Sequence, residues 1–130
     1  MDDKKYTIFI IDDDKFLLEL YSVKLTKSGH DVHAITSGIS AIEKMRNGSC
    51  PDIIILDIIM PIQDGIETLK IIRDEKLAKE AVVVMLTNEN SSTKIDKANT
   101  LGVDGYIVKA TTIPSEVVDE VMRIAVLAGK

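Results

Sequence analysis

A chain of 130 residues is long enough for one domain in which helices cover both faces of a sheet around a single core. Hydrophobic residues make up 45% of the chain and aromatic residues 4%, so the core is predicted to be aliphatic. The 16 Lys and Arg and 21 Asp and Glu residues give a net charge of -5, which disfavours nucleic acid as a direct partner.

The N-terminal sequence MDDKKYTIFIIDDD lacks the basic, then apolar, then small-residue order of a secretory signal. Cys50 is the only cysteine in the sequence, so no internal disulfide can form. No apolar stretch approaches the roughly 20 residues that cross a bilayer. We therefore expect a cytoplasmic protein with no membrane partner.

Five short apolar segments alternate with five segments of helical apolar spacing. Glycine follows the first, second and fourth of these helices, which is typical of a helix C-terminus. In chain order, the sequence predicts strand 6–11, helix 14–28, strand 31–35, helix 38–47, strand 52–56, helix 64–77, strand 81–86, helix 91–101, strand 105–108 and helix 114–128.

This alternation predicts parallel strands joined by right-handed crossovers. The fold class is therefore α/β, a doubly wound five-stranded parallel sheet with five helices, as in flavodoxin-like folds. Strands 6–11, 52–56 and 81–86 are apolar without alternation and are expected at the centre, whereas 31–35 and 105–108 are mixed and suit the edges. The predicted strand order is 2-1-3-4-5.

Polar residues follow four of the predicted strands. In an open parallel sheet, ligands bind outside the carboxyl ends of the strands, near the point where strand order reverses. Neighbouring strands lie ~4.8 Å apart, so the acids after strand 1 and the residue after strand 4 are each expected about one strand spacing from Asp57. The lysine after strand 5 is about two spacings away, and its long stem can cover much of the second spacing. The residues concerned are Asp12, Asp13 and Asp14 after strand 1, Asp57 after strand 3, Thr87 after strand 4 and Lys109 after strand 5.

Carboxylates that converge within a few ångströms repel one another unless a cation joins them. Oxygen ligands without His or Cys indicate Mg²⁺ rather than zinc or a closed calcium cage. A carboxylate beside Mg²⁺, a hydroxyl and an ammonium suits phosphoryl transfer. Asp14 is expected instead to cap the first helix.

Over its whole length the chain resembles the receiver domain of two-component response regulators, of the single-domain chemotaxis type. The resemblance rests on four motifs in order: IIDDD with Asp12 and Asp13, LDIIMPIQDG with Asp57, Met60, Pro61, Asp64 and Gly65, MLTN with Thr87, and GVDGYIVK with Tyr106 and Lys109. It implies a single receiver domain over residues 1–130, without an output domain in this chain.

The resemblance also implies the roles of the acids. Asp57 would accept a phosphoryl group from phosphohistidine of a sensor histidine kinase or phosphotransfer protein, or from a small phosphodonor. Asp13 would bind Mg²⁺ directly and Asp12 largely through water. Asp57 and the backbone carbonyl of Ile59 would complete the protein ligands of Mg²⁺.

The remaining implied roles concern the switch. Thr87 would bond one phosphoryl oxygen after transfer, Lys109 would pair with another, and Tyr106 would swing inward as Thr87 moves. The surface of the fourth helix, fifth strand and fifth helix would then change its affinity for a downstream target protein. The chain is expected to be a monomer or a weak, phosphorylation-linked dimer.

The chain departs from the family pattern at two positions. Ala110 replaces the usual proline after the lysine, and we expect a trans Lys109-Ala110 peptide. Asn88 stands where a very small residue is usual, which would narrow access to the phosphoryl group. Glu89 and Ile59 occupy positions that modulate loss of that group; since an aliphatic side chain cannot orient a water, slow to moderate self-dephosphorylation is expected.

Three alternatives stay open. The first is a receiver-like binding module that signals without phosphorylation. The second is an aspartyl-phosphate phosphohydrolase, because Asp12 and Asp14 have the D-x-D spacing. The third, a flavin carrier, is disfavoured because DDDK presents anions to a phosphate.

Residues outside the motifs are given structural roles. We expect His30 and His33 to be surface or loop histidines rather than ligands. The apolar residues of the last helix are expected to fill the core.

Overall fold

The computed structural model describes residues 5–87, 92–109 and 112–130. All ten predicted elements are present. In chain order they are β1 Thr7–Ile11, α1 Lys15–Lys27, β2 Asp31–Ile35, α2 Gly38–Arg46, β3 Ile53–Asp57, α3 Gly65–Asp74, β4 Val82–Thr87, α4 Ser92–Thr100, β5 Gly105–Val108 and α5 Pro114–Leu127.

The end of α3 differs most from its predicted position. The helix ends at Asp74, three residues before the predicted end at residue 77. Lys76, in the following turn, has a φ of 56°, a left-handed conformation that does not continue a right-handed helix. The apolar spacing continues past the helix because Leu77 still packs against the core from this turn.

The sheet has the predicted order, β2-β1-β3-β4-β5, with all neighbouring strands parallel. Every residue of β3 and β4 is buried, whereas β2 and β5 have mixed exposure. This confirms both the fold class and the reasoning behind it: uninterrupted apolar strands need helices on both faces, and mixed strands belong at the edges.

Each face of the sheet has its own aliphatic core. One core lies beneath α1 and α5, and the other beneath α2, α3 and α4. The prediction for the last helix is confirmed, because five of its apolar residues are buried in the first core: Val117, Val118, Val121, Ile124 and Ala125.

Two glycines allow close packing near the carboxyl edge of the sheet. A Cβ at Gly65 would lie 2.2 Å from the backbone oxygen of Asp57. A Cβ at Gly38 would lie 2.0 Å from Oγ1 of Thr68, so the start of α2 packs directly on α3. Both contacts are too short for any residue with a side chain in the same backbone position.

Polar contacts tie α4 to both ends of α3. Arg73 donates from Nε to the carbonyl of Leu101 at 2.9 Å and from Nη2 to that of Gly102 at 2.8 Å, which satisfies carbonyls beyond the end of α4. At the opposite end, Nζ of Lys94 lies 3.5 Å from Oδ2 of Asp64, the N-cap of α3. These contacts supplement the apolar packing of α4 on the second core, where Ala98 is buried.

His30 lies in the loop between α1 and β2, one of the two predicted alternatives, but it is buried rather than at the surface. His30 is 9% exposed, its ring stacks on Tyr6 with centroids 5.4 Å apart, and its Nδ1 accepts the backbone N–H of Tyr6 at 3.1 Å. Burial lowers the pKa of His30, which favours the neutral ring that this hydrogen bond needs. His33 is partly exposed and packs against Phe9.

No helix among the described residues is both long enough and apolar enough to cross a bilayer.

Candidate functional site

The central strands bring two carboxylates to the carboxyl edge of the sheet. Asp12 follows β1 directly, and Asp57 is the last residue of β3 rather than the first residue of the loop. Because both lie on central strands, they are buried, with exposed fractions of 0% and 2%. Two neighbouring acids at this depth require compensation by positive charge.

Lys109 supplies that charge from the end of β5. Its Nζ lies 2.8 Å from Oδ2 of Asp12 and 3.2 Å from Oδ2 of Asp57, with 7% of the lysine side chain exposed. The lysine stem therefore crosses the position of β4 to reach both acids. The structure brings these three residues together as the strand order predicted.

One ammonium does not balance two carboxylates. The pKa of Asp57 is raised to about 7, first because the carboxyl is buried and then because Asp12 lies beside it, while Lys109 opposes the shift. Burial acts to lower the pKa of Lys109, but its contacts with Asp12 and Asp57 outweigh burial and raise the pKa. When Asp57 is ionised, the site therefore has an excess of negative charge, which a cation would relieve.

The acid cluster has the donors that a hard divalent cation needs. Asp12, Asp13 and Asp57 each place one carboxylate oxygen within 4.8 Å of the others, and Asp13 is exposed to solvent. Within the described part of the chain, the buried Oδ1 of Asp57 has no hydrogen-bond partner. A buried carboxylate oxygen without a donor fits an oxygen-ligated cation such as Mg²⁺.

The loop after β3 is held against the end of the strand. The N–H of Ile58 donates to the carbonyl of Leu86 at 2.9 Å, and the N–H of Gly65 donates to the carbonyl of Ile58 at 2.7 Å. Met60 is buried beneath the loop, while the side chain of Ile59 is 50% exposed. Ile59, two residues after Asp57, therefore has its backbone in a loop that these contacts anchor.

Thr87 and Tyr106 occupy the adjacent strands. Thr87 ends β4 and is 3% exposed, and its partner in β5 is Val108, the residue before Lys109. Tyr106, on the edge strand, is 42% exposed. Thr87 therefore lies on the strand next to that of Asp57, at nearly the same position along the strand direction. The ring of Tyr106 lies partly in solvent.

Tyr21 is a residue near the site that the sequence analysis missed. It is 2% exposed within the core beneath α1 and α5. Burial raises the pKa of its hydroxyl; the charge of Lys109 opposes this shift, and the charges of Asp12, Asp57 and Asp14 add to it. The available signal was helical spacing, since Tyr21 lies seven residues, or two turns, after Asp14 and shares its side of α1.

The predicted separate role of Asp14 agrees with the structure. Its Oδ1 accepts the N–H groups of Phe16 at 3.1 Å and Leu17 at 3.2 Å, which caps α1. The expectations for Asn88, Glu89 and Ala110, including the Lys109-Ala110 peptide, fall outside the described residues.

Comparison with known proteins extends these observations. Residues 8–121 match a family model described as the response regulator receiver domain. The chain is 33% identical over 102 residues to the alkaline phosphatase synthesis transcriptional regulatory protein PhoP of Bacillus subtilis (strain 168), which covers 78% of this chain and 41% of PhoP. The chain therefore spans less than half the length of that relative.

Two chemotaxis proteins match over most of their length. The chain is 32% identical over 108 residues to CheY of Halobacterium salinarum (strain ATCC 29341 / DSM 671 / R1), covering 83% of this chain and 88% of CheY. The crystallised CheY4 of Vibrio cholerae has a TM-score of 0.83 at 26% identity, covering 93% of this chain and 99% of CheY4. With its sheet order, its acid cluster and the match over residues 8–121, the chain belongs to the receiver domain family of two-component response regulators.

Proposed function

We propose that this receiver domain is a phosphorylation-dependent switch whose phosphoacceptor is Asp57. The phosphoryl group would come from phosphohistidine of a sensor histidine kinase or a phosphotransfer protein in the cytoplasm, in a Mg²⁺-dependent reaction. The observation that carries the proposal is the convergence of Asp57, Asp12 and Lys109 at the carboxyl edge. Residues 1–130 would form one receiver domain.

The acid cluster would hold the magnesium ion. The protein ligands would be the carboxylates of Asp12, Asp13 and Asp57 and the backbone carbonyl of Ile59, with Asp12 acting largely through water. When bound, Mg²⁺ supplies positive charge to the oxygens of the phosphoryl group. The unpartnered, buried Oδ1 of Asp57 supports a cation at this position.

Asp57 would act as the nucleophile. A carboxylate oxygen of Asp57 attacks phosphorus, the bond from phosphorus to the histidine nitrogen breaks, and that nitrogen keeps the electron pair. The reaction needs the ionised carboxylate, which the nearby ammonium of Lys109 favours. Burial of Asp57 limits access of water to the acyl phosphate that forms.

Lys109 and Thr87 would then bind the product. The ammonium of Lys109 pairs with one phosphoryl oxygen, and the hydroxyl of Thr87 donates to another. Movement of Thr87 toward the phosphoryl group would make room for Tyr106, whose ring is 42% exposed in this structure. The surface of α4, β5 and α5 would thereby change its affinity for a downstream target.

Self-dephosphorylation would be slow to moderate. Hydrolysis requires a water in line with the bond from phosphorus to Asp57, and Ile59 offers no hydrogen-bonding side chain to orient it. The measurement is the decay of phosphorylated protein in Mg²⁺ after the donor is removed. A half-life of seconds would contradict this expectation.

A phosphohydrolase fits the geometry less well. Such an enzyme would use the second acid of its D-x-D motif near the phosphoryl group, whereas Asp14 is engaged in capping α1. A phosphorylation-independent binding module would not need Lys109 buried between Asp12 and Asp57, where three ionisable groups are costly to maintain.

Incubation with acetyl phosphate and Mg²⁺ separates these functions. A receiver should form a phosphoryl adduct that accumulates on the protein. A hydrolase would release phosphate catalytically without accumulating one, and a binding module would do neither. Intact-mass spectrometry and a phosphate-release assay on the same sample measure both quantities.

A further inference from the structure

Tyr6 and His30 meet at the amino edge of the sheet, opposite the edge that holds Asp57. Tyr6 directly precedes β1, and His30 lies in the turn between α1 and β2. Both side chains are buried, and their rings stack on each other. The pair therefore joins the start of the central strand β1 to the turn before the edge strand β2.

Hydrogen bonds fix the backbone around this pair. The N–H of Tyr6 donates to Nδ1 of His30 at 3.1 Å, and the carbonyl of Tyr6 accepts the N–H of Asp31 at 2.9 Å. The N–H of His30 donates to the carbonyl of Leu25 in α1 at 3.3 Å. Because Nδ1 of His30 faces a backbone donor, it must act as an acceptor, which only a neutral ring provides.

Tyr6 also connects the pair to the end of α5. Its hydroxyl donates to the backbone oxygen of Lys130 at 2.8 Å, and the N–H of Lys130 donates to the carbonyl of Ala125 in α5 at 2.9 Å. Leu127, at the end of α5, lines a cavity of about 410 Å³ together with Tyr106 of β5. Tyr6 thus links the turn before β2 to one wall of that cavity.

Protonation of His30 would break the first of these contacts. An imidazolium donates from both ring nitrogens, so the N–H groups of His30 and Tyr6 would face each other across 3.1 Å. Burial disfavours the charged ring and lowers the pKa of His30 from its ordinary value of 6.5. The ring is therefore neutral at neutral pH and becomes charged in acid.

Among the described residues, no charged group offsets the effect of burial on the pKa of His30. Asp31 directs its carboxylate to Nε2 of His33 at 3.3 Å, and Asp52 accepts the N–H of Thr7 at 2.8 Å. The other ionisable side chains of the segments that meet here are Lys5, Lys24, Lys27 and Lys130. These four are cations, which would oppose rather than stabilise an imidazolium.

We propose that Tyr6 and His30 form an acid-sensitive latch: neutral His30 holds the start of β1 and, through the Tyr6 hydroxyl, the end of α5, and protonated His30 releases both. The latch does not depend on phosphorylation of Asp57. Its stabilisation is complete above about pH 6.5 and is lost as the pH falls below that value, because the unfolded chain then binds a proton that the folded chain excludes.

The first test compares the pH dependence of unfolding in the wild type, His30→Asn and His33→Asn. The side-chain oxygen of asparagine can accept a hydrogen bond in place of Nδ1 but does not titrate. His33→Asn is the matched control, because it removes a partly exposed histidine three residues away. Asp57 titrates in all three proteins, so its contribution cancels from the differences between them.

As the pH falls below about 6.5, the unfolding equilibrium constant of the wild type should rise relative to that of His30→Asn, by up to tenfold for each pH unit. The same ratio taken with His33→Asn should not rise. Chemical denaturation in EDTA at a series of pH values measures both ratios. A ratio to His30→Asn that stays constant from about pH 7 to about pH 5 would overturn the proposal.

Amide hydrogen exchange followed by NMR tests the connection to α5. In acid, the protection factors of the Tyr6 and Lys130 amides should fall together in the wild type but not in His30→Asn. Tyr6→Phe removes the hydroxyl that reaches Lys130, so it should lower protection of the Lys130 amide at every pH and leave the amide of residue 6 acid-sensitive. A Lys130 amide that responds neither to acid nor to loss of the hydroxyl would contradict the latch.

The tautomer of His30 provides a direct check on the hydrogen bond. Imidazole ¹⁵N chemical shifts should show a neutral His30 ring protonated at Nε2, with Nδ1 as the acceptor. A neutral ring protonated at Nδ1, or a His30 ring that titrates above its ordinary pKa, would refute the proposal.

Discussion

At the scale of single residues, the central feature is a pair of buried carboxylates that share one ammonium. Burial and the neighbouring Asp12 raise the pKa of Asp57 to about 7, so the metal-free protein retains a proton that the unfolded chain releases near pH 4. Between these pH values the folded state binds more protons than the unfolded state. The free energy of unfolding should therefore fall as the pH rises through this range.

Asp57→Asn provides the comparison for this pH dependence, because an amide does not titrate. In EDTA, the melting temperature of Asp57→Asn should exceed that of the wild type by a margin that grows between about pH 4 and about pH 7. Differential scanning calorimetry across the range measures this margin. A constant margin would show that Asp57 ionises normally in the folded protein.

Asp13 differs from the other two acids because it is exposed. Removing its charge should raise the melting temperature of the metal-free protein only slightly, since exposed charges interact weakly, by roughly 0–1 kcal/mol. It should, however, abolish stabilisation by Mg²⁺, which for a bound ion reaches about 2.7 kcal/mol at a hundred times Kd. Thermal shifts of Asp13→Ala with and without Mg²⁺ measure both effects.

The matched control for Asp13→Ala is Asp14→Ser. This change removes an adjacent negative charge but keeps a side-chain oxygen that can cap α1. Asp14→Ser should retain the Mg²⁺ shift of the wild type. An Asp13→Ala protein that still responds to Mg²⁺ would place the ion elsewhere.

At the scale of elements, a prediction follows from the close contact between α2 and α3. Alanine normally suits a helix better than glycine, but a Cβ at Gly38 would lie 2.0 Å from Oγ1 of Thr68. Gly38→Ala should therefore destabilise the protein, by about 1–3 kcal/mol as in other overpacked sites. Chemical denaturation provides the measurement.

A double-mutant cycle identifies the cause of this cost. Thr68→Ala removes the hydroxyl nearest to the added Cβ, so Gly38→Ala should cost less in that background. If the cost is the same in both backgrounds, the contact with Thr68 is not its source.

The elements themselves were largely predictable from the sequence. Strands β3 and β4 are uninterrupted apolar segments, and such segments can be satisfied only when both faces of a sheet are covered. Their central position then fixed which strand ends meet, and so the convergence of Asp57 with Asp12 and Lys109. The apolar pattern of the strands was enough to predict the site because the site residues lie at the strand ends.

Contacts between side chains of distant elements were not predictable in this way. The burial of His30 depends on Tyr6, 24 residues away, which covers its ring and donates to its Nδ1. Tyr21 reads from the sequence as a core residue of α1, and only the packing of that helix brings its hydroxyl near the charges of the site. Periodicity assigns a residue to a face of an element but does not specify its neighbours across the interface.

At the scale of the whole molecule, the parallel sheet brings Asp12, Asp57 and Lys109 together at its carboxyl edge and leaves its two faces to hydrophobic cores. The proposed phosphoryl group would add charge beside Thr87, which ends β4, and Lys109, which follows β5. Strand β5 is part of the surface of α4, β5 and α5, and β4 is its neighbour in the sheet. A local electrostatic change can thus alter the contacts of a surface one strand away.

The most direct test of the account is to locate the phosphoryl group and determine its dependence on the metal. Wild-type protein and Asp57→Asn are each incubated with acetyl phosphate, with Mg²⁺ or with EDTA, and tandem mass spectrometry then identifies the modified residue. The account predicts one phosphoryl group on Asp57 of the wild type in Mg²⁺, with little in EDTA and none on Asp57→Asn. Modification of another residue, or equal modification of Asp57 in EDTA, would contradict it.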